Sequence, residues 1–101
     1  MQTDIYQKIQ CDFGASASLA MQALDKLDAE SKGLVGPRLV RALVYLANGD
    51  IEALKKAIDL ARTDWRDVLL QAEYSYPENI RVRDFEKTFH ELKLLNNKQS
   101  N

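Results

Sequence analysis

The stretch GPRLVRALVYLANGDIEALKKAIDLARTDWRDVLLQAEYSY, residues 36–76, decides the fold of this chain. Gly36 precedes Pro37, and proline is well suited to a first helical turn, where its missing N–H removes no hydrogen bond. A helix is therefore predicted to begin there. Asn48 and Gly49 then supply a helix stop, and Asp50 directly caps the next helix. Because this connection is so short, it predicts an antiparallel helix hairpin.

Apolar side chains recur at helical spacing along the whole of this stretch. The helix that begins at Pro37 has a wide apolar arc, which favours a central position: Leu39, Val40, Leu43, Val44, Leu46 and Ala47. The next helix repeats apolar residues at three, four and three: Ile51, Leu54, Ile58 and Ala61. Thr63 or Asp64 is predicted to cap a fifth helix that ends near Tyr74, with its stripe at Trp65, Val68, Leu69 and Ala72.

The flanking sequence predicts further helices. One runs from a cap at Thr3 or Asp4 to Phe13, with Gly14 as its stop, and a second runs from Ser16 or Ser18 to residues 31–33. After Asp84 a terminal helix is expected to reach about Leu95. Residues 80–83 alternate like an extended piece, although a lone strand finds no predicted partner, so an extended and a helical conformation both stay open.

These elements together predict an all-α fold. A chain of 101 residues is long enough for one core and too short for two. We expect one compact domain, residues 1–95, built as a bundle of five or six short helices, followed by a flexible polar tail, residues 96–101. The third helix should be central, with the second, fourth and fifth packed round it.

Charge and composition exclude several classes of protein. Fourteen basic residues against fifteen acidic ones give a net charge of −1, so no overall field attracts nucleic acid or an anionic membrane. One cysteine, Cys11, and one histidine, His90, cannot build a Cys/His metal site between them. No leader pattern and no apolar run of membrane-spanning length are present. We therefore expect a cytoplasmic protein without metal, cofactor or membrane contact.

Parts of this pattern resemble known helical proteins. Residues 45–61, with the Asn48-Gly49-Asp50 turn, resemble the helix-turn-helix of tetratricopeptide-type repeats, which are scaffolds for protein partners; no second turn of this kind follows at a repeat period. A longer series is similar to small uncharacterised helical bacterial proteins: Gly36-Pro37-Arg38, Gly49-Asp50 and Asp64-Trp65-Arg66-Asp67-Val68. That resemblance implies a compact helical domain in a bacterial protein and brings no catalytic residue with it.

Aromatic and arginine side chains are concentrated between residues 65 and 85. Arginine and tyrosine are the residue types enriched at binding hot spots. The sequence therefore predicts a partner-binding site at Arg66, Tyr74, Tyr76, Arg81 and Arg83. Trp65 and Phe85 lie on apolar stripes, and the sequence leaves open whether they belong to the core or to an interface.

A second surface of this chain could bind anions. Arg38 and Arg41 lie one turn apart on the third helix, and Arg62 completes a potential phosphate-facing patch near free helical N–H groups. The alternative is that these arginines pair with neighbouring carboxylates across the hairpins. The first interpretation would make the chain a nucleic-acid or phosphate-binding protein.

The common catalytic signatures are absent from the sequence. Cys11 with His90 is the one nucleophile and base combination of its kind, and a helix C-terminus raises rather than lowers a thiol pKa. Asp67 and Glu73 are expected to be solvated carboxylates. We therefore predict no enzyme activity and no catalytic residue.

The sequence as a whole favours a non-catalytic protein-binding or small regulatory module, with a protein partner that it cannot identify. Met21 and Leu70 point away from the main apolar stripes, which also allows a homodimer. Nucleic-acid binding is the alternative.

Overall fold

The computed structural model describes residues 1–33 and 35–92, and within these ranges it contains four α-helices and no strand. The helices are α1 (Thr3–Phe13), α2 (Ala17–Glu30), α3 (Pro37–Ala47) and α4 (Ile51–Glu73), and a short 3-10 helix, Gly14–Ser16, joins α1 to α2. The predicted all-helical class is confirmed. The predicted number of helices is not, because the described part holds four rather than five or six.

The predicted fourth and fifth helices follow each other without a loop, and both lie within the range of α4, on either side of a kink at Asp64. Asp64 has non-helical backbone angles, φ −154° and ψ 86°, within α4. Its carboxylate accepts a hydrogen bond from the Asp67 N–H at 3.3 Å, while the Thr63 hydroxyl donates to the Leu60 carbonyl at 3.0 Å. The predicted cap at Asp64 is therefore confirmed, and the helical stretch after it follows directly on the one before it.

The hairpin between α3 and α4 is confirmed. Gly36 and Pro37 begin α3, and Asn48 ends it in the left-handed conformation, φ 48°. The Asp50 carboxylate accepts hydrogen bonds from the N–H groups of Glu52 and Ala53 at 2.9 and 3.3 Å, which satisfies two unpaired donors of α4.

Gly49 lets this hairpin approach α1 closely. Its φ is +82°, and a Cβ atom there would overlap the carbonyl oxygen of Asp12, near the end of α1. A side chain at this position would therefore be strained and would also force the two segments apart. The turn thus fixes the α3–α4 hairpin against α1.

The four helices pack in a closed order. Helix α3 contacts α4 and α1, and α2 contacts α1 and α4, so each helix has two main neighbours. We expected α2 beside α3, but α1 is the second main neighbour of α3. The buried apolar core draws on all four helices and on Phe85: Ile5, Ile9, Phe13, Ala17, Ala20, Leu24, Leu27, Ala42, Leu43, Val44, Ala47, Leu54, Ile58, Ala61, Val68, Leu69, Ala72 and Phe85.

The start of α1 differs from the prediction. Gln2 occupies the N-cap position without a side-chain cap bond, and Thr3 is already helical. The expected cap, Asp4, instead directs its carboxylate to Arg41. Because α1 begins at Thr3, Asp4 lies inside the first turn and not at the N-cap position.

The segment after α4 is held by a turn and a short capping motif. Residues 85–87 form turns, and helical residues begin at Phe89 rather than directly after Asp84. The Thr88 hydroxyl accepts from the Glu91 N–H, and the Glu91 carboxylate accepts from the Thr88 N–H, which is a reciprocal capping box. The predicted helix end at Leu95 and the tail, residues 96–101, lie outside the described residues.

Candidate functional site

The end of α4 is followed by a loop that folds back on the helix. We call residues 74–84 the connecting segment. Tyr74 and Arg81 form an isolated antiparallel bridge, flanked by hydrogen bonds from Ser75 N–H to the Ile80 carbonyl (2.8 Å) and from Val82 N–H to the Glu73 carbonyl (2.7 Å). Residues 80–83 are therefore not helical, and Arg81 pairs with Tyr74, the residue directly after α4, rather than with a strand.

The bend of the connecting segment has a defined geometry. The peptide bond between Tyr76 and Pro77 is cis, and Asn79 has a left-handed backbone with φ 58°. The Asn79 N–H donates to the Ser75 carbonyl at 2.9 Å, which closes the turn. Asparagine tolerates this conformation better than most residues.

Glu73 anchors the connecting segment to the bundle. Its side chain is 0% exposed and accepts hydrogen bonds from Arg38 Nε (3.1 Å), Arg38 Nη2 (2.6 Å) and the Phe85 N–H (2.9 Å). Arg81 Nη2 lies 3.3 Å from the same carboxylate. We call these groups the Glu73 network. They join α3, α4 and the connecting segment at one buried point.

The prediction that Glu73 is solvated was wrong. Glu73 lies four residues after Leu69, one helical turn away, so it continues the buried stripe of α4. This spacing is the sequence signal from which the burial of Glu73 could have been predicted. Burial alone raises the pKa of Glu73, but the hydrogen bonds from Arg38, Phe85 N–H and Arg81 outweigh it and leave the pKa below its usual 4.5. The carboxylate is therefore charged and structural at neutral pH.

A second buried ion pair lies between α1, α3 and the residues after the connecting segment. Arg41 is 3% exposed, and its Nε and Nη2 atoms lie 2.8 and 3.1 Å from the two carboxylate oxygens of Asp4. Arg41 also donates to the Phe85 carbonyl at 3.0 Å and to the Gln2 side chain. Asp4 in turn accepts from the Phe89 N–H at 3.0 Å. We call these groups the Asp4 network.

Buried polar groups do not point to a reaction centre. In residues 1–33 and 35–92 every buried side-chain nitrogen or oxygen has a hydrogen-bond partner. Within the same ranges, no group of three or more His, Cys, Asp and Glu side chains could hold a metal ion. The two ion networks therefore act as structural links.

Large apolar side chains protrude from the connecting segment. Tyr76 is 95% exposed, Ile80 60% and Val82 51%. The sequence predicted Tyr76 as a contact residue and missed Ile80 and Val82, whose alternation suggested a half-buried strand. Three large apolar side chains are thus exposed within seven residues of the chain.

The five predicted contact residues have different environments. Arg81 is exposed at the segment but pairs with Asp84 at 2.9 Å, and Tyr74 is half-buried. Arg83 is half-buried, donates to the Ala72 carbonyl and lies 4.5 Å from the centre of the Tyr45 ring. Arg66 is exposed on α4. The structure therefore gathers four of the five at the connecting segment and leaves Arg66 two turns before the end of α4.

The two aromatic side chains left open by the sequence differ from each other. Phe85 is 1% exposed and packs against Tyr45, with ring centres 5.3 Å apart, so it belongs to the core. Trp65 is 50% exposed, and the Arg66 guanidinium lies 5.4 Å from its ring centre. The apolar stripe of α4 therefore does not bury its tryptophan.

The three arginines of the predicted anion-binding face are all engaged with carboxylates. Arg38 belongs to the Glu73 network and Arg41 to the Asp4 network. Arg62 is exposed and pairs with Glu30 (2.9 Å) and Asp59 (2.6 Å). Arg41 is buried, so a patch formed by all three side chains is not open to solvent. The partners are carboxylates, as the alternative interpretation held, although Asp59 lies on the same helix as Arg62 rather than across a hairpin.

The described part of the chain includes a cleft and a groove on its surface. A cleft of about 660 Å³ lies between α1 and residues 81–92, and both Cys11 and His90 line it. A groove of about 610 Å³ lies between the end of α2, the start of α3 and the kink of α4; we call it the α4-kink groove. Arg38 and Arg62 line this groove, whereas Arg41 does not.

Comparisons of this chain with protein-family models, with curated proteins and with solved structures give no match. The resemblances to tetratricopeptide-type hairpins and to small helical bacterial proteins therefore stay predictions. No helix of the described residues is long and apolar enough to cross a membrane.

Proposed function

We propose that this chain is a non-catalytic protein-binding module that contacts its partner through the connecting segment. The supporting observation is the exposure of Tyr76, Ile80 and Val82 on one short loop. Burying such side chains against a partner removes apolar area from water, which is the main favourable term in protein association. This function agrees with the expectation of an adaptor or regulatory protein.

Order in the connecting segment supports this proposal. The Tyr74–Arg81 bridge and the Glu73 network hold the backbone to the bundle, so the exposed side chains are presented on a fixed frame. A loop that is ordered before binding loses less conformational entropy on binding. The segment therefore combines exposed apolar area with preorganisation, the two properties that a small contact surface needs.

Nucleic-acid binding, the alternative function, has less support. It needs several arginines free to bind phosphates, but Arg38 and Arg41 donate to buried or half-buried carboxylates and Arg62 donates to two exposed ones. Retardation of DNA or RNA at low salt, with affinity that falls steeply as salt is added, would restore this alternative.

The proposal is tested by affinity capture from the source cell with mass spectrometry. The double variant Tyr76→Ser and Ile80→Ser should lose a partner that the unchanged protein captures, because most of the exposed apolar area of the segment is removed. Arg81 and Arg83 are poorer probes, since both make internal contacts.

A matched control is available elsewhere on the surface. Tyr6 and Leu19 are 48% and 55% exposed on α1 and α2, so Tyr6→Ser with Leu19→Ser removes similar side chains away from the segment. The control should keep the partner, and circular dichroism should show both double variants to be helical. Equal capture by all three proteins would contradict the proposal.

A further inference from the structure

The cleft between α1 and residues 81–92 adjoins the surface that we assign to the partner, and we call it the α1 cleft. Val82 lines this cleft and is also one of the three exposed apolar side chains of the connecting segment. Its volume of about 660 Å³ lies within the range of pockets that enclose a small ligand, roughly 300–1,000 Å³. The cleft can therefore admit side chains of a partner that covers the connecting segment.

The α1 cleft has more positive charge than its own carboxylates neutralise. Each lining carboxylate is paired with a cation: Asp4 with Arg41 (2.8 Å), Asp12 with Lys8 (3.3 Å) and Asp84 with Arg81 (2.9 Å). Two further lining cations, Arg83 and Lys87, have no carboxylate oxygen within 4.0 Å among the described residues. Leu34 and residues 93–101 add no aspartate or glutamate. In the α4-kink groove, by contrast, both lining arginines are paired with carboxylates.

Arg83 is held in place without being neutralised. Its Nη1 donates to the Ala72 carbonyl at 3.2 Å, and its guanidinium carbon lies 4.5 Å from the centre of the Tyr45 ring. A carbonyl group and an aromatic ring orient a guanidinium but carry no net negative charge. An anion that binds the remaining N–H groups of Arg83 therefore pays little side-chain entropy to order them.

The backbone beside these cations has hydrogen-bonding groups that a peptide could use. In the bridge between Tyr74 and Arg81 the residues on either side make the two hydrogen bonds, so the N–H and C=O of Arg81 point away from Tyr74. Neither group has a hydrogen-bond partner among the described residues. Extended peptides bind through such backbone groups, and neighbouring pockets select their side chains. These groups favour a peptide segment as the occupant of the cleft.

We propose that the partner presents a peptide segment with an acidic side chain beside an apolar one, the acid bound to Arg83 and Lys87 and the apolar side chain on Val82. This inference rests on the proposed function, because it names the chemistry of the partner that contacts the connecting segment. The acid gains charge-assisted hydrogen bonds without displacing a carboxylate of the chain itself. Its binding is therefore a net gain rather than an exchange.

Short random peptides displayed on phage provide the probe, selected for binding to the unchanged protein. The enriched sequences should contain aspartate or glutamate close to a large apolar residue. A synthetic copy of one enriched peptide, labelled with a fluorophore, then gives the dissociation constant by fluorescence anisotropy. Replacing its acidic residue by the corresponding amide should weaken binding about tenfold, because the charge-assisted hydrogen bonds are lost.

Variants of the protein locate the acid in the cleft. Arg83→Gln with Lys87→Gln should weaken the acidic peptide about tenfold and leave its amide version nearly unaffected, which is the coupling of a double-mutant cycle. Lys26→Gln with Lys56→Gln removes two exposed cations outside the cleft and should leave the affinity unchanged.

Circular dichroism checks that each variant is folded. Because Arg83 also makes internal contacts, Lys87→Gln alone serves if the double variant is not folded. This single change at an exposed position should weaken the acidic peptide about threefold. The amide version of the peptide needs no variant at all and tests the role of the acid directly.

Several results would overturn this inference. Absence of any enriched peptide is one, and enriched peptides without an acidic residue are another. Equal loss of affinity in the cleft variant and in the control variant would also overturn it, because the effect would then follow net charge. Each of these results leaves the proposed function standing if Tyr76→Ser with Ile80→Ser still loses the captured partner. Retention of the partner by that variant, beside acid-dependent binding of the peptide, would instead contradict the contact through Tyr76 and Ile80 alone.

Discussion

Gly49 shows how one residue can determine the approach of two helices. It combines a positive φ with a position against the Asp12 carbonyl, whereas Gly33 has a similar φ of +76° and open space around its Cα. A comparison of substitutions at the two positions therefore distinguishes backbone strain from steric overlap. Both effects act at Gly49, and strain alone acts at Gly33.

Gly49→Ala should lower the free energy of unfolding by about 3 kcal/mol, the sum of left-handed strain and local overpacking. Gly33→Ala should cost about 1 kcal/mol, because it adds strain without a clash. Urea denaturation followed by circular dichroism measures both. Equal losses would show that the turn does not press on α1.

Local sequence signals predicted the ends of α3, the start of α4 and the position of the kink in α4. Gly36-Pro37 and Asn48-Gly49-Asp50 each satisfy a requirement of a helix end within a few residues, so the α3–α4 hairpin could be predicted. Asp64 gives the same local signal as Asp50, and the backbone leaves the helical conformation there as well, with φ −154° and ψ 86°. The capping residue thus marks the change of backbone direction, whereas the absence of a loop between the two helical stretches depends on how they pack.

The cap at the start of α4 can be tested directly. Asp50→Ala should lower the free energy of unfolding by about 1 kcal/mol, because the N–H groups of Glu52 and Ala53 lose their acceptor. Asp25→Ala removes an exposed carboxylate within α2 and should change stability by less than about 0.5 kcal/mol. Thermal unfolding of the two variants gives the comparison; a loss at Asp25 as large as that at Asp50 would contradict a capping role.

The ion networks could not be read from the sequence, for a physical reason. Arg38 is 35 positions from Glu73 and Arg41 is 37 from Asp4, so no helical period connects the partners. The same limit applies to the candidate site. Tyr76 and Arg81 could be predicted as residue types, but the exposure of Ile80 and Val82 is a property of the folded chain, because no helical or strand period distinguishes their two faces.

Across the whole molecule, two carboxylates connect the helical bundle to the residues after α4. For Asp4, burial alone would raise the pKa, but hydrogen bonds from Arg41 and the Phe89 N–H outweigh it and leave the pKa below the usual 3.8. The pKa of Glu73 is lowered as well. Both groups therefore favour the folded state when they are ionised.

The lowered pKa values of Asp4 and Glu73 predict that the protein loses stability in acid. A carboxyl group with a lowered folded pKa stabilises the protein above its unfolded pKa, and this contribution disappears as the pH falls through the folded pKa. Stability should therefore decrease from about pH 5 downwards, through the usual values of 4.5 and 3.8 and below them. Denaturation midpoints measured between neutral and acid pH test this expectation.

Glu73→Gln is the control for the acid effect. It should lower the free energy of unfolding at neutral pH by roughly 2 kcal/mol, because the half-exposed Arg38 loses a buried partner. It should also make the decrease in acid shallower, since one of the two titrating groups is gone. Parallel pH profiles for the variant and the unchanged protein would contradict the assignment.

The hydrogen bond from Phe89 N–H to Asp4 also bears on the order of folding. It joins residues 85 positions apart, so its formation requires closure of almost the entire described chain. The α3–α4 hairpin, by contrast, closes over a few residues and can form early. The Asp4 network should therefore assemble after the rate-limiting step, so that weakening it accelerates unfolding and leaves the folding rate nearly unchanged.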